Sequence, residues 1–279
     1  MIIPLGCERA RSRVVDVNGL RLHFLESGPS GAPPICFLHG GAAHAHWFDA
    51  VTPAFSDRFH VVSLDQRGHG ESAWAEPPAY GTEDFTGDLV GLMDVLGWAR
   101  MIVVGHSMGG HNAMTFAAWH PERVAALVIV DSRPAIPAER LTVMHARGRR
   151  IPRVHPSEDV AVQSFRLLPR ETVADRALLA HVARAGLMRR DGGWAWRFDP
   201  ATHGARQPVD AWPLLPRITA PTLITRAALS PVLTQDMAER LRASVPRASL
   251  VTIPGAYHHL TLDRPAEFSA ALSTFLSTL

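Results

Sequence analysis

Two hydrophobic patterns alternate along the chain. Short runs that are apolar at nearly every position, and often β-branched, fall at residues 34–38, 61–65, 101–104, 124–130, 221–225 and 248–253. Helical patterns fill the spaces between the middle ones, most clearly at residues 82–96 and 108–119. A strand apolar on both faces must be covered on both faces. The alternation therefore predicts an α/β fold: a predominantly parallel twisted sheet with helices on both faces. Residues 14–17 and 20–26 flank Asn18-Gly19, a dipeptide that accepts the positive φ angles of a tight turn, and predict an antiparallel hairpin at one edge.

One stretch breaks the alternation. Residues 133–216 are rich in Arg, Pro and His and carry helical patterns near 138–149, 158–167 and 172–187, with no buried-type strand. Toward its end, residues 191–198 alternate aromatic with small or polar side chains around a turn. The expected organisation is a core of residues 1–132 and 217–279, with residues 133–216 inserted as a helical cap. A cap over the strand ends shapes a pocket and excludes water from the chemistry beneath it. The alternative is a helical excursion packed on a side face.

Composition narrows the function classes. A chain of 279 residues, 47% of them hydrophobic, can bury one large core plus an inserted subdomain. The net charge is only +2, all of the basic residues are arginine, and they are scattered, which argues against a nucleic-acid surface. The short clusters at Arg147, Arg149, Arg150 and at Arg189, Arg190 read as solvated faces. Cys7 and Cys36 form no disulfide framework and no metal-ligand spacing. Residues 1–13 lack a charged segment followed by a long apolar one, and no run of about eighteen apolar residues occurs. A cytoplasmic protein without a membrane partner is expected.

The chemistry is concentrated after the third apolar run. Gly105-His106-Ser107-Met108-Gly109 places one serine between two glycines, with a strand-like segment before it and a helix-like one after it. A strand that turns sharply into a helix presents the serine at the apex in a strained conformation, and glycines leave room for that turn. The backbone N–H of Met108 then faces an oxyanion formed when the Ser107 hydroxyl attacks a carbonyl.

Other motifs follow the same order as in a known family. Phe37-Leu38-His39-Gly40-Gly41, Asp65-Gln66-Arg67-Gly68-His69-Gly70-Glu71-Ser72 and Pro254-Gly255-Ala256-Tyr257-His258-His259 accompany the serine turn. Together they resemble the α/β-hydrolase fold family, in its serine-nucleophile branch with a cap, over nearly the whole chain. The resemblance implies an oxyanion hole built from the N–H groups of Gly41 and Met108. It also implies a structural role for the Asp65 to Ser72 turn, which removes Arg67 and His69 from the catalytic set. His258 takes the place of the family's catalytic base, with His259 as the alternative.

The acid is where the chain departs from the family. The loop after residues 221–225 reads Arg226-Ala227-Ala228-Leu229-Ser230-Pro231-Val232-Leu233 and holds no carboxylate. Asp131, at the end of the run 124–130, is the candidate acid that orients His258. Asp236, near the Thr234 helix cap, and a Ser-His pair without an acid are the alternatives.

Ser107 excludes the family branches that need an aspartate nucleophile. What remains is acyl transfer to water on an ester, lactone, thioester or activated amide, an ester or lactone hydrolase foremost, with carbon-carbon bond hydrolysis, perhydrolysis, hydroxynitrile cleavage and a non-hydrolytic small-molecule receptor as alternatives. His106, Gly40 and Trp47 are candidate substrate contacts, and His44, His46, Phe48 and His111 are further side chains placed near a pocket mouth. These histidines lack a carboxylate or thiolate at ligand spacing, so neither a metal nor a cofactor is expected. The expected partner is a small-molecule substrate.

Overall fold

The structure is a computed structural model and describes residues 10–279. Cys7 and most of residues 1–13 lie outside the described residues.

The chain opens with the expected hairpin, β1 (Arg11–Val17) and β2 (Leu20–Ser27), turning at Asn18-Gly19, both with positive φ. Next come β3 (Pro34–Leu38), β4 (His60–Leu64) and the two-residue β5 (Tyr80–Gly81). Helix α1 (Thr82–Leu96) leads to β6 (Met101–His106), α2 (Met108–Trp119) and β7 (Val124–Val130). The insertion then supplies α3 (Ala138–Gly148), α4 (Glu158–Ser164), α5 (Arg176–Ala185), β8 (Leu187–Arg190), β9 (Gly193–Trp196), α6 (Ala201–Gly204) and β10 (Arg206–Gln207). The chain returns with β11 (Thr222–Ala227), α7 (Gln235–Ser244) and β12 (Ala248–Ile253), and closes with α8 (Leu260–Asp263) and α9 (Pro265–Leu276).

Eight strands form one sheet in the order β1-β2-β4-β3-β6-β7-β11-β12. The β1-β2 and β2-β4 pairs are antiparallel and the remaining pairs are parallel. Period-2 geometry divides each buried strand between two cores. Cys36, Leu38, Met101, Val103, Leu127 and Ile129 point to one face and pack with Leu89, Leu92, Met93 and Phe116 from α1 and α2. Ile35, Phe37, Ile102, Val104, Val128 and Val130 point to the other, against Phe48, Leu260, Phe268 and Leu272. Helix α1 forms where sequence signals agree: the Asp84 carboxylate accepts the Gly81 N–H at its start, and Gly97 ends it at φ 70°.

Strand β3 has β4 on one side and β6 on the other, so successive connections leave in opposite directions. At such a switch point the loops after the two strands diverge and open a crevice at the carboxyl ends. The loops leaving β3 and β6 are those that carry Gly40, Gly41 and Ser107.

The insertion departs from its expected all-helical form. The three expected helices are present but shorter than expected, the short α6 is added, and α5 starts at Arg176 because the Asp175 side chain caps the Ala177 and Leu178 N–H groups. The alternating aromatic stretch folds into the antiparallel β8-β9 hairpin, and β10 pairs with β5. Arg197 C=O accepts the Gly70 N–H, and Gly68 C=O accepts the Asp199 N–H, which docks the insertion on the Asp65 to Ser72 turn.

That turn is built around one carboxylate. Buried Asp65 accepts the Ala45 and Glu71 N–H groups and the His23 ring, and a side chain on Gly70, at φ 53°, would begin 2.1 Å from its carboxyl. Arg67 forks onto Asp88 at 2.6 Å, and His69 Nδ1 donates to the Arg67 carbonyl. Both residues are thus occupied in holding the turn.

Burial works against the charge on Asp65, but the hydrogen bond from His23 and the neighbouring imidazoles outweigh it and hold the carboxyl well below the usual carboxylate range. The stability it contributes is present above about pH 4 and lost as pH falls further. Asp65→Ala is expected to lower unfolding free energy by about 3–5 kcal/mol at pH 7 in urea titrations, and to flatten the loss of stability on acidification.

Candidate active site

Ser107 follows β6 directly and has φ 54° and ψ −114°. Such a backbone persists only where its surroundings over-determine it. Here the Ser107 N–H donates to Val130 C=O at 3.0 Å, Ser132 Oγ donates to Ser107 C=O at 2.6 Å, and the Gly109 N–H donates to His39 C=O at 3.1 Å. The glycines are required sterically. A Cβ on Gly105 would lie 2.3 Å from Gly109 O, and one on Gly109 would lie 2.3 Å from Leu38 O.

His258 lies on the loop between β12 and α8 and is 3% exposed. Its Nε2 is 3.0 Å from Ser107 Oγ and its Nδ1 is 2.7 Å from Asp131 Oδ2. The carboxylate can only accept, so Nδ1 carries the proton and Nε2 is free to accept from the serine. The Tyr257 N–H donates to Asp263 Oδ2 at 2.8 Å, and His106 Nε2 donates to His258 C=O at 2.8 Å, which fixes the loop on both sides of the ring.

Asp131, fully buried at the end of β7, has φ 42°. Its Oδ1 accepts the Ala227 N–H at 3.0 Å and its Oδ2 also accepts Ser230 Oγ. The loop that holds no carboxylate therefore contributes two donors to one standing on the neighbouring strand. Sequence reasoning passed over Ser230. The available signal was a hydroxyl in a short turn beside the strand carrying the candidate acid. Asp236 lies in the first turn of α7, whose N-cap Thr234 accepts the Met237 N–H, as expected of an ordinary helix start.

The loop after β3 runs past the serine. A side chain on Gly40 would begin 3.3 Å from Ser107 Cβ, and one on Gly41 would begin 3.9 Å from Met108 Sδ. His39 holds this loop: Nδ1 donates to Gly40 C=O, Nε2 accepts the Gln66 N–H, and Gln66 Nε2 donates to His39 C=O. Both ring nitrogens are satisfied only in the neutral form, and burial lowers the pKa accordingly.

The other imidazoles expected near a pocket mouth serve as ties. His44 Nε2 donates to Val182 C=O and His111 Nε2 to Val209 C=O, both in the insertion. His106 is buried, with its ring 4.9 Å from that of His258, so its polar contact is with the loop of that residue. Trp47 is 5% exposed and meets His44, Phe165 and His259 at the seam between core and insertion. His259 caps α8 and donates through Nε2 to Pro169 C=O.

A strained serine on a strand-to-helix turn, an imidazole on the loop after the last strand and a glycine loop after β3 meet at the carboxyl ends of the strands. A profile of the alpha/beta hydrolase fold family matches residues 33–265. The chain belongs to this family. It is 29% identical to the 2-(acetamidomethylene)succinate hydrolase of Mesorhizobium japonicum, with 99% of each chain covered. It is 30% identical to an sn-1-specific diacylglycerol lipase of Mus musculus, covering 94% of this chain and 87% of the lipase. A crystal structure of E-2-(acetamidomethylene)succinate hydrolase superposes with a TM-score of 0.86 at 28% identity, covering 96% of this chain and 99% of the other. This alpha/beta hydrolase carries its serine at the elbow, and among its described residues no helix is long and apolar enough to cross a membrane.

Burial, reinforced by the neighbouring His258, pushes His259 down to about 3, and burial holds His106 well below the usual imidazole range. Both rings are therefore neutral across the physiological range. NMR titration between pH 5 and 8 should leave their ring resonances unchanged; a midpoint near 6.5 at either would contradict the burial argument.

Proposed function

We propose that the protein is a serine hydrolase that cleaves an ester or lactone through an acyl-enzyme on Ser107. The observation that carries this reading is the continuous hydrogen-bonded line from Ser107 Oγ through His258 to Asp131. His258 Nε2 takes the serine proton as Oγ adds to the carbonyl carbon, and Asp131 stabilises the imidazolium that forms. The N–H groups of Gly41 and Met108 receive the oxyanion. Met108 occupies the first turn of α2, where N–H groups lack intrahelical acceptors. Collapse expels the alkoxide, which takes the proton from His258. Water then attacks the acyl-enzyme by the same route in reverse, delivering the acid product and regenerating Ser107. His106 and Ser230 act as positioning residues for the base and the acid. Residues 133–216 act as the cap, with Leu167, Leu178 and Val182 packed on the same core cluster as Trp47.

A carboxylate-bearing substrate, cleaved at an ester or at a C–N bond, is the second reading, and the surroundings of Gly41 favour the carboxylate. His203 Nε2 lies 3.5 Å from the Cβ position of Gly41. Burial, then the charges of Arg147 and Arg206, push His203 down to about 4. Arg206 is 1% exposed and donates through Nη2 to Asn112 Oδ1, while its Nε and Nη1 have no protein partner. Positive potential beside an oxyanion loop favours a substrate that carries its own carboxylate. The hydrolase from Mesorhizobium japonicum is named for a substituted succinate. Cleavage of a carbon-carbon bond by the same three residues also fits the family.

Ser107→Ala and His258→Ala are expected to lower kcat on short p-nitrophenyl esters by about 10⁴-fold or more, and Asp131→Asn by about 10³- to 10⁴-fold. Asp236→Asn should leave turnover unchanged. A fluorophosphonate should label Ser107 in the unmodified protein; no labelling together with no turnover would assign a binding role instead. The mono-p-nitrophenyl ester of glutaric acid should surpass the neutral pentanoyl ester in kcat/KM, and by less at high ionic strength. Equal kcat/KM values for the two esters would remove the carboxylate from the reading and leave the serine chemistry intact.

A further inference from the structure

Away from the serine, the fold assembles a second cluster whose donor set is that of a metal site. His46 lies in the short helical turn Ala45–Phe48 after the glycine loop, Asp49 follows it at the end of that turn, and His181 lies in α5 of the insertion. Asp49 Oδ2 is 2.8 Å from His46 Nδ1 and 2.6 Å from His181 Nε2. The three donor atoms all lie within 4.8 Å of one another. For His46, the sequence expectation of no carboxylate partner at ligand spacing is thereby corrected. Asp49 stands three positions after His46, and the third donor comes from far along the chain.

We propose that His46, Asp49 and His181 form a binding site for a zinc-like divalent cation that clasps the insertion to the core. Two imidazole nitrogens and one carboxylate oxygen form a borderline donor set suited to first-row divalent ions, zinc foremost, with a fourth position left for water. The geometry needs little change. Donor atoms bound tetrahedrally at about 2.0–2.2 Å from one ion sit about 3.3–3.5 Å apart, so the N to O separations of 2.8 and 2.6 Å widen by about 0.5–0.9 Å and the two nitrogens, within 4.8 Å of each other, draw together. In the metal-free cluster a ring proton fills each N to O gap. On binding, the ion takes both positions, and each imidazole carries its proton on the opposite ring nitrogen.

The electrostatic setting suits a cation. Asp49 is 5% exposed and the two rings about a quarter exposed, which leaves the carboxylate inside and an approach for water and metal through the imidazoles. The carboxylates of Asp65 and Glu71 add negative potential at His46. Nothing in this assignment depends on the serine chemistry, and the three residues take no part in it. The location gives the site its consequence. His46 and Asp49 continue from the loop that carries Gly40 and Gly41, and the neighbouring His44 already bonds Val182 beside His181. A metal bridging loop and α5 would hold the insertion down over that loop.

The test uses the full chain stripped with a chelator and titrated calorimetrically with zinc, then with cobalt to read the visible absorption of a four-coordinate site. The expected result is one ion per chain with micromolar or tighter affinity and a thermal midpoint that rises with zinc. His181→Gln replaces a partly exposed side chain, so the fold should survive, checked by circular dichroism. It should weaken binding by at least about thirtyfold and abolish the thermal shift. His120→Gln, a surface change outside the cluster, should alter neither. Absence of saturable binding in the unmodified protein, or equal affinity in His181→Gln, would overturn the assignment.

Discussion

The backbone of Ser107 is the constraint on which the rest of the site depends. A non-glycine residue at φ 54° and ψ −114° costs on the order of 1–3 kcal/mol and must be held from outside. Hydrogen bonds to the ends of β3 and β7 do this, and they need the three strand ends in register at the switch point of the sheet. Close backbone approach excludes any side chain at Gly105 or Gly109. The same approach sets the glycine loop beside the serine, so elbow and loop are one packing unit.

Parallel pairing of β7 with β11 explains how an acid can stand on a different strand from the one expected and still meet the imidazole. Asp131 directly follows β7, its N–H bonds Thr225 C=O, and its carboxylate takes donors from Ala227, the last residue of β11, and from Ser230 in the loop beyond it. That loop holds the carboxylate in place, so the aspartate and its positioning groups have exchanged strands without moving the point where they meet. Each donor also restricts the orientation of the carboxylate oxygen that faces His258.

Histidine does an unusual share of the tying in this chain. His39, His44, His106, His111 and His259 are buried, are shifted downward by that burial, and each donates one ring N–H to a backbone carbonyl in a loop or in the insertion. A neutral imidazole satisfies a buried carbonyl without placing a full charge in low dielectric, which a lysine could not do as cheaply. The seam between core and insertion is therefore held by dipolar contacts and aromatic edges, joined by the Arg197 to Glu71 ion pair at 2.8 Å and by the hydrogen bonds of His46 and His181 to Asp49.

The linear pattern determined the fold class, because strands apolar on both faces demand helices on both sides, and it located Ser107, because a serine between two glycines after such a strand has few other uses. The bounds of β3, β7, β12, α1 and α2 follow directly from where the apolar runs and caps begin and end. The insertion was legible only as a break in that pattern: the aromatic alternation at 191–198 is too short to announce a strand unless a partner is known. Asp131 was readable as a candidate because it ends a strand. Its contact with His258, the donors from Ser230 and Ala227, and the approach of His181 to Asp49 were decided by tertiary structure alone. Each joins residues about 100 or more positions apart in the chain, and sequence periodicity reports which face a side chain takes, not which distant element will pack against it.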